Sequence, residues 1–258
     1  MEIIAFRPPL GVWKGIDTAG DDDSPGYVIT AALAEELRGK GIRWVARYIQ
    51  YDGEVPEKPK PGGEYGHGVA DGCYPLSIVE SRWILGAGLG IVPVQFASWG
   101  SVRHASLCGS AMVTAGHRLG WPRGIHMFGD TEGPSASNAG ASRVTEVCEA
   151  MAAAKLAGGQ LAGQYYTGGI MSGRQWGRLR GVTSYWGAAG PLAENPYDRG
   201  CSIEQDPPTS VCGIRCDTDT MRPDRFGEMP SIVATPEIAS DWYAEALAPL
   251  IGSPFLTA

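Results

Sequence analysis

The sequence predicts an α/β protein built as a single (β/α)8 TIM-like barrel, and three observations carry that prediction. The chain has 258 residues of which 43% are hydrophobic, enough for one large core. Its apolar pattern switches repeatedly between the period of two that marks strands and the longer period that marks helices. Eight candidate strands follow one another, most of them separated by a helical stretch. Under the right-handed crossover rule a parallel barrel is then the economical topology. The 37 glycines and 19 prolines fit the many loops of such an architecture.

Each element has its own warrant. Residues 11–17 (GVWKGID) read as a short strand ending on Asp17. Thr30 caps a helix over 30–39 that Gly39 stops. Residues 42–50 (IRWVARYIQ) are the second strand, followed by a Pro, Gly and Lys loop over 53–72 that is long enough to be functional. A helix over 76–85, ended by Gly86, precedes the third strand at 90–97 (GIVPVQFA). A helix over 104–119 leads into the fourth strand at 124–132 (GIHMFGDTE). Residues 142–156 form an Ala-rich helix with an apolar face through Val144, Val147, Met151 and Ala154. The fifth strand (161–167), a short helix (172–179) and the sixth strand (182–188) follow. The last two strands, 200–206 and 213–219, leave little room for a helix between them.

Beyond these a Pro-rich run over 222–230 leads into a helix over 236–251. Ile238, Trp242, Ala246 and either Leu247 or Leu250 share one face of it. The expected organisation is therefore a barrel over 1–221 and a C-terminal helical extension over 222–258. The extension either packs on the barrel's outer wall or docks onto a larger assembly such as a virion.

Composition excludes several classes. A net charge of −7 argues against nucleic acid and anionic membrane surfaces as partners. No run of about 20 apolar residues is present to form a transmembrane helix, and the opening residues lack the charged head and apolar core of a signal peptide. Of the six cysteines, Cys148 reads as a small core residue, while Cys201, Cys212 and Cys216 are close enough for one disulfide. The Cys212-x3-Cys216 pair lacks the second Cys or His pair of a zinc site, so no metal is expected. Neither a phosphate loop nor a GxSxG elbow occurs, and no cofactor is expected.

What remains is a set of acids. Asp130 and Glu132 end the fourth strand two residues apart, on one face, with α-carbons about 6.6 Å apart. Asp17, Asp206 and Asp217 also fall near predicted strand ends, which in a parallel barrel form the catalytic face. Gln95, Tyr165, Trp186 and Gln205 converge there as candidate substrate-binding groups. An acidic pocket rimmed by aromatics suits a sugar, and paired carboxylates suit cleavage of a glycosidic bond. Each residue also has a plainer role. Asp130 and Glu132 could cap the next helix, Asp17 could form a turn, and Asp217 and Asp219, which share a face, could be a solvated loop or a cation site. Tyr165 and Trp186 could be core aromatics, Asp21-Asp22-Asp23 a solvated loop, and His126 a satisfied core histidine. Arg47 could pair with an inner acid or lie on the surface.

Several of these pieces resemble the glycoside-hydrolase-like family once listed as domain of unknown function 1906, found often in actinobacteria and their phages. That family is similar to the family 25 lysozymes, which are barrel muramidases. The resemblance rests on Gly15-Ile16-Asp17, Arg47-Tyr48-Ile49, Gly88-Leu89-Gly90-Ile91-Val92-Pro93-Val94 and Asp130-Thr131-Glu132. It continues through Gly163-Gln164-Tyr165, Tyr185-Trp186 and residues 213–219, spanning about residues 11 to 221. It implies Asp17, Asp130, Glu132 and Asp217 as the carboxylate set, with Glu132 as proton donor and peptidoglycan as substrate. Asp206 departs from it, standing where many such lysozymes have an aromatic, and the loops over 53–72 and 189–200 are peculiar to this chain. The functional expectation is a peptidoglycan hydrolase acting at the cell wall, as a phage lysin, a virion-associated protein or a protein exported by another route. The alternatives are a barrel that binds glycan without turnover, and a hydrolase of a different glycan.

Overall fold

The computed structural model describes residues 1–18, 29–49, 76–96, 102–131, 136, 138–189 and 195–251. Among these, eleven strands form: β1 Ile4–Phe6, β2 Trp13–Asp17, β3 Trp44–Tyr48, β4 Gly90–Phe96, β5 His126–Thr131, β6 Leu161–Tyr166, β7 Val182–Gly187, β8 Ile203–Gln205, β9 Thr209–Val211, β10 Ile214–Met221 and β11 Ile232–Ala234. Six helices accompany them: α1 Ala31–Gly39, α2 Ile78–Gly86, α3 Val102–Arg118, α4 Ala141–Ala157, α5 Gly173–Trp176 and α6 Pro236–Ile251. The Thr30 cap is the one the sequence signals, and Ser77 and Ser172 cap two further helices. The Thr30 side chain accepts from the Leu33 amide, Ser77 from Glu80, and Ser172 forms a capping box with Gln175.

Strands β2 to β8 pair side by side and parallel, and β10 closes the ring against both β8 and β2. The eight-stranded α/β barrel is therefore present. The expectation that all its strands run parallel is corrected at β10, which is antiparallel to both neighbours. The cause is local. β9 and β10 form a hairpin whose two turn residues, Cys212 and Gly213, both have positive φ (51° and 80°), as a type I′ turn requires. With no helix to carry the chain back across the sheet, β10 returns in the opposite direction. The small strands β1 and β11 pair with each other, and β11 joins β4 through Val233 opposite Ile91. The sequence does not signal β1, β9 or β11, because three residues hold no readable period.

The barrel is filled, not hollow. Trp186 meets Trp44 and Phe128 edge-on, with ring centroids 6.1 and 5.8 Å apart. Two glycines make the room. A Cβ on Gly15 would lie 2.1 Å from the Trp44 ring, and one on Gly163 would lie 2.6 Å from the Phe128 ring. Outside, Trp242 of α6 stacks on Trp13 at 4.7 Å and meets Phe6 edge-on at 5.7 Å. Glu245 of the same helix pairs with Arg38 and Arg43. No helix among the described residues is long and apolar enough to cross a membrane.

Candidate active site

Register decides which side chains meet inside the barrel, because neighbours across a ladder share a face. Asp17 lies opposite Ala46 on β3 and opposite Asp217 on β10. Asp130 lies opposite Phe96 and Tyr165, and Tyr165 lies opposite Trp186. Tyr48, two residues beyond Ala46, belongs to the same face. These residues form a ring at the mouth, where the parallel strands end.

Gln205 organises one sector of that ring. Its Nε2 donates to Asp17 Oδ2 at 3.0 Å and to Asp217 Oδ2 at 2.9 Å. Its Oε1 accepts from the Tyr165 hydroxyl and from the Ala189 amide, each at 3.0 Å. One amide nitrogen thus uses both hydrogens on two acids and holds them close together. Farther around the ring, the Tyr48 hydroxyl donates to Asp130 Oδ2 at 2.6 Å, and Asp130 is buried. Asp217 reaches this mouth although β10 runs against the other strands. It stands in the first half of β10, and reversal puts that half at the mouth.

One step deeper on the same face of β10 is Asp219, 1% exposed. Its Oδ1 accepts from Trp186 Nε1 at 2.9 Å. Burial first, and then the charges of Asp17 and Asp217, push its carboxyl well above the ordinary carboxylate range; the indole hydrogen bond opposes them.

Not every candidate residue arrives as expected. Gln95 is registered against Gly129, one residue out of step with the Phe96–Asp130 pair, so it lies on the outer face of β4 and away from the acids. Trp186 arrives but is 1% exposed, edge-packed against Tyr165 at 5.2 Å as well as Trp44 and Phe128. It is a floor beneath the acids and presents no open face to a sugar. Asp206 is exposed and tied to the β8–β10 pairing, its amide donating to Thr218 O at 2.8 Å. Glu132 lies outside the described residues, as do Asp21-Asp22-Asp23 and the loop over 53–72.

Two residues of the mouth escaped sequence reasoning as site residues. Tyr48 carried a signal, since it ends β3 with the parity of Trp44 and Ala46. Asp219 shares parity with Asp217, and no pattern in the sequence ranks one above the other.

Other ionisable groups are placed by the fold. Among the described residues Arg47 pairs with an outer acid, Glu80, and is shut off from solvent. It is wholly buried outside the barrel, with Nε 2.9 Å from Glu80 Oε1 and Nη1 donating to Thr18 O at 2.8 Å. His126 lies at the opposite end of the barrel, its Nδ1 accepting from the Ser231 amide at 2.8 Å and its Nε2 3.0 Å from Thr183 Oγ1. Burial lowers its pKa to about 3. Lys155 of α4 is buried against the sheet, Nζ donating to Met127 O at 2.8 Å, and burial lowers its pKa to about 7. The five described cysteines are free thiols. The disulfide considered for Cys201, Cys212 and Cys216 is not formed; the Cys201 thiol lies 2.8 Å from the Tyr166 hydroxyl instead. No group of three or more His, Cys, Asp or Glu among the described residues is arranged to hold a metal ion.

No family model matches this sequence. No curated protein matches it either. Solved structures do match in fold. An uncharacterized protein of B. stearothermophilus superposes with a TM-score of 0.58 at 17% identity, over 80% of this chain and 94% of that one. The Tat-secreted protein Rv2525c of Mycobacterium tuberculosis gives 0.57 at 16% identity, over 84% and 98%. GHIP, a glycosyl hydrolase 25 of Streptococcus pneumoniae described as participating in host cell invasion, gives 0.55 at 13% identity, over 82% and 87%. At such identities the likeness is one of fold. The class it defines is an α/β barrel whose mouth, in this chain, carries Asp17, Asp130 and Asp217 together.

Proposed function

We propose that the protein is a glycoside hydrolase acting on bacterial cell-wall peptidoglycan by carboxylate acid–base chemistry. The observation that supports this most directly is the Asp17–Gln205–Asp217 bridge, set in the same ring as the Tyr48–Asp130 contact. Several acids at one barrel mouth suit an oxocarbenium-like transition state, which needs one proton donor and one nearby negative charge. The fold shared with a glycosyl hydrolase 25 and the sequence resemblance to muramidases support the substrate class. Fold alone does not assign chemistry, so the site carries the argument.

In this reading Glu132 protonates the glycosidic oxygen as its bond to the sugar breaks. Asp130, fixed by Tyr48, faces the positive charge that develops on the ring. Water adds to the anomeric carbon and gives up its proton to a carboxylate. Asp17 and Asp217, held by Gln205, orient that water or the N-acetyl group of the substrate.

The test is incubation with purified peptidoglycan, with product masses read for new reducing ends. Wild-type protein is expected to release them, and Glu132→Gln is expected to lose about 100- to 10,000-fold of that rate while staying folded. Wild-type turnover by the Gln variant would overturn the assignment of Glu132. Sedimentation with the wall and no new reducing ends would leave a glycan-binding barrel.

A further inference from the structure

We propose that Asp219 is a neutral carboxylic acid and a positioning residue: it anchors the Trp186 floor and leaves the negative charge of this sector to Asp17 and Asp217. The activity arm of the inference rests on the glycosidase reading, while the protonation arm stands without it.

Three acids crowd two adjacent strands here. Asp217 is the direct neighbour of Asp17, and Asp219 lies one inward step deeper, opposite Gly15 and Gln205. Gly15 brings no side chain, and the space beside it is filled by the Trp44 ring. Asp219 Oδ1 receives the Trp186 Nε1 hydrogen at 2.9 Å. Its Oδ2 is buried and meets no hydrogen-bond partner among the described residues. An ionised carboxylate in this place would leave a charged oxygen without a donor, a costly burial. A neutral acid lowers that cost: Oδ1 is the carbonyl that accepts from the indole, and the proton on Oδ2 removes the buried charge, leaving a neutral hydroxyl as the smaller penalty.

The surroundings agree. The titratable groups that act on Asp219 are Asp17 from β2, Asp217 from its own strand and Asp206 beyond β8, with the Cys216 thiol also adjacent. All of these are acids or neutral, and among the described residues the indole from β7 favours the charged form. The deepest of three neighbouring carboxyls is the one that keeps its proton, because it has lost most water.

The role follows from what Trp186 supports. Tyr165 packs edge-on against the indole, its hydroxyl holds Gln205, and Gln205 holds both mouth acids. Asp219 fixes the first member of that chain without adding a third charge.

The experiment compares the full chain with Asp219→Asn and Asp219→Ala. Infrared spectra of the wild type minus Asp219→Asn at neutral pH should show the carbonyl stretch of one protonated carboxyl, while a protonated Glu132, present in both proteins, cancels. Asn keeps the shape, the neutrality and the acceptor, so this variant should fold. On peptidoglycan it should match the wild type near neutrality and hold its rate at alkaline pH, where the wild type falls as Asp219 ionises. Asp219→Ala, which removes the indole's acceptor, should lose about tenfold, the equivalent of one hydrogen bond. Absence of the protonated-carboxyl band from that difference, an Asn variant that fails to fold, or an unchanged alkaline limb would each overturn the inference. If the infrared signal behaves as expected and neither protein releases reducing ends, the neutral acid stands and the glycosidase reading falls.

Discussion

At the base of the barrel Arg199 lies between two acids, 2.8 Å from Asp224 and 2.7 Å from Glu228, and both ring nitrogens of His126 have neighbours. At the mouth, the groups described around Asp17, Asp130, Asp217 and Asp219 are an amide, two phenols and an indole. The base is tied by opposite charges, one guanidinium between two carboxylates. The donors described at the mouth are neutral, and a neutral donor fixes the direction of a carboxylate without itself cancelling its charge. A cation in Gln205's position would bind the same two acids more tightly and blunt the field that a developing oxocarbenium ion needs. One end of the barrel is arranged for cohesion and the other for a visitor.

That contrast can be broken by substitution. Arg199→Met removes the cation from Asp224 and Glu228 and should destabilise the protein by roughly 2 kcal/mol in urea unfolding, the scale of hydrogen bonds to charged groups. The rate per folded molecule should not change; a fall in rate would mean that the base contributes to the chemistry. Tyr48→Phe is the converse case, since it deletes one hydroxyl from Asp130. Peptidoglycan hydrolysis should drop about tenfold in kcat, equal to about 1.4 kcal/mol, with Tm nearly unaltered. A large loss of Tm instead would make Tyr48 a structural tie.

A third effect concerns pH. The unfolded chain protonates His126 below its ordinary value of 6.5, whereas the folded protein resists until about 3. The neutral ring therefore adds stability that is fully present above 6.5 and is lost as pH falls from 6.5 toward 3. His126→Asn should flatten that acid limb in thermal melts taken across the interval. An identical slope in the variant would place the acid sensitivity elsewhere.

Much of this arrangement was legible in the sequence because strands with one wet end reveal their phase. β5 is buried along its whole length, and Asp130 stood out only as an acid near its end, whereas Asp17 follows an alternation that states which side faces in. β4 does not: Gly90-Ile91-Val92-Pro93-Val94-Gln95 is buried on both faces, so nothing in the run tells which parity carries Gln95 inward. Trp186 failed for a different reason. An aromatic at a strand end is equally suited to floor or platform, and only the packing of Trp44, Phe128 and Tyr165 around it decides. The direction of β10 was written in Cys212-Gly213, a dipeptide whose glycine permits a tight hairpin, but the cysteine spacing drew attention first. Asp219 lay in plain view beside Asp217; its burial is a product of Gly15 and Trp44, which no local pattern connects to it.

The pairing of β2 with β10 also sets an order of events during synthesis. The first barrel strand to leave the ribosome waits for the last, since its free edge is closed only when β10 arrives. Such long-range pairing is slow to form. A chain stopped after β8 would possess the Tyr48–Asp130 contact but no Asp217 for Gln205 to hold. The acid pair is thus a property of a chain that has reached β10, and no shorter copy can form it.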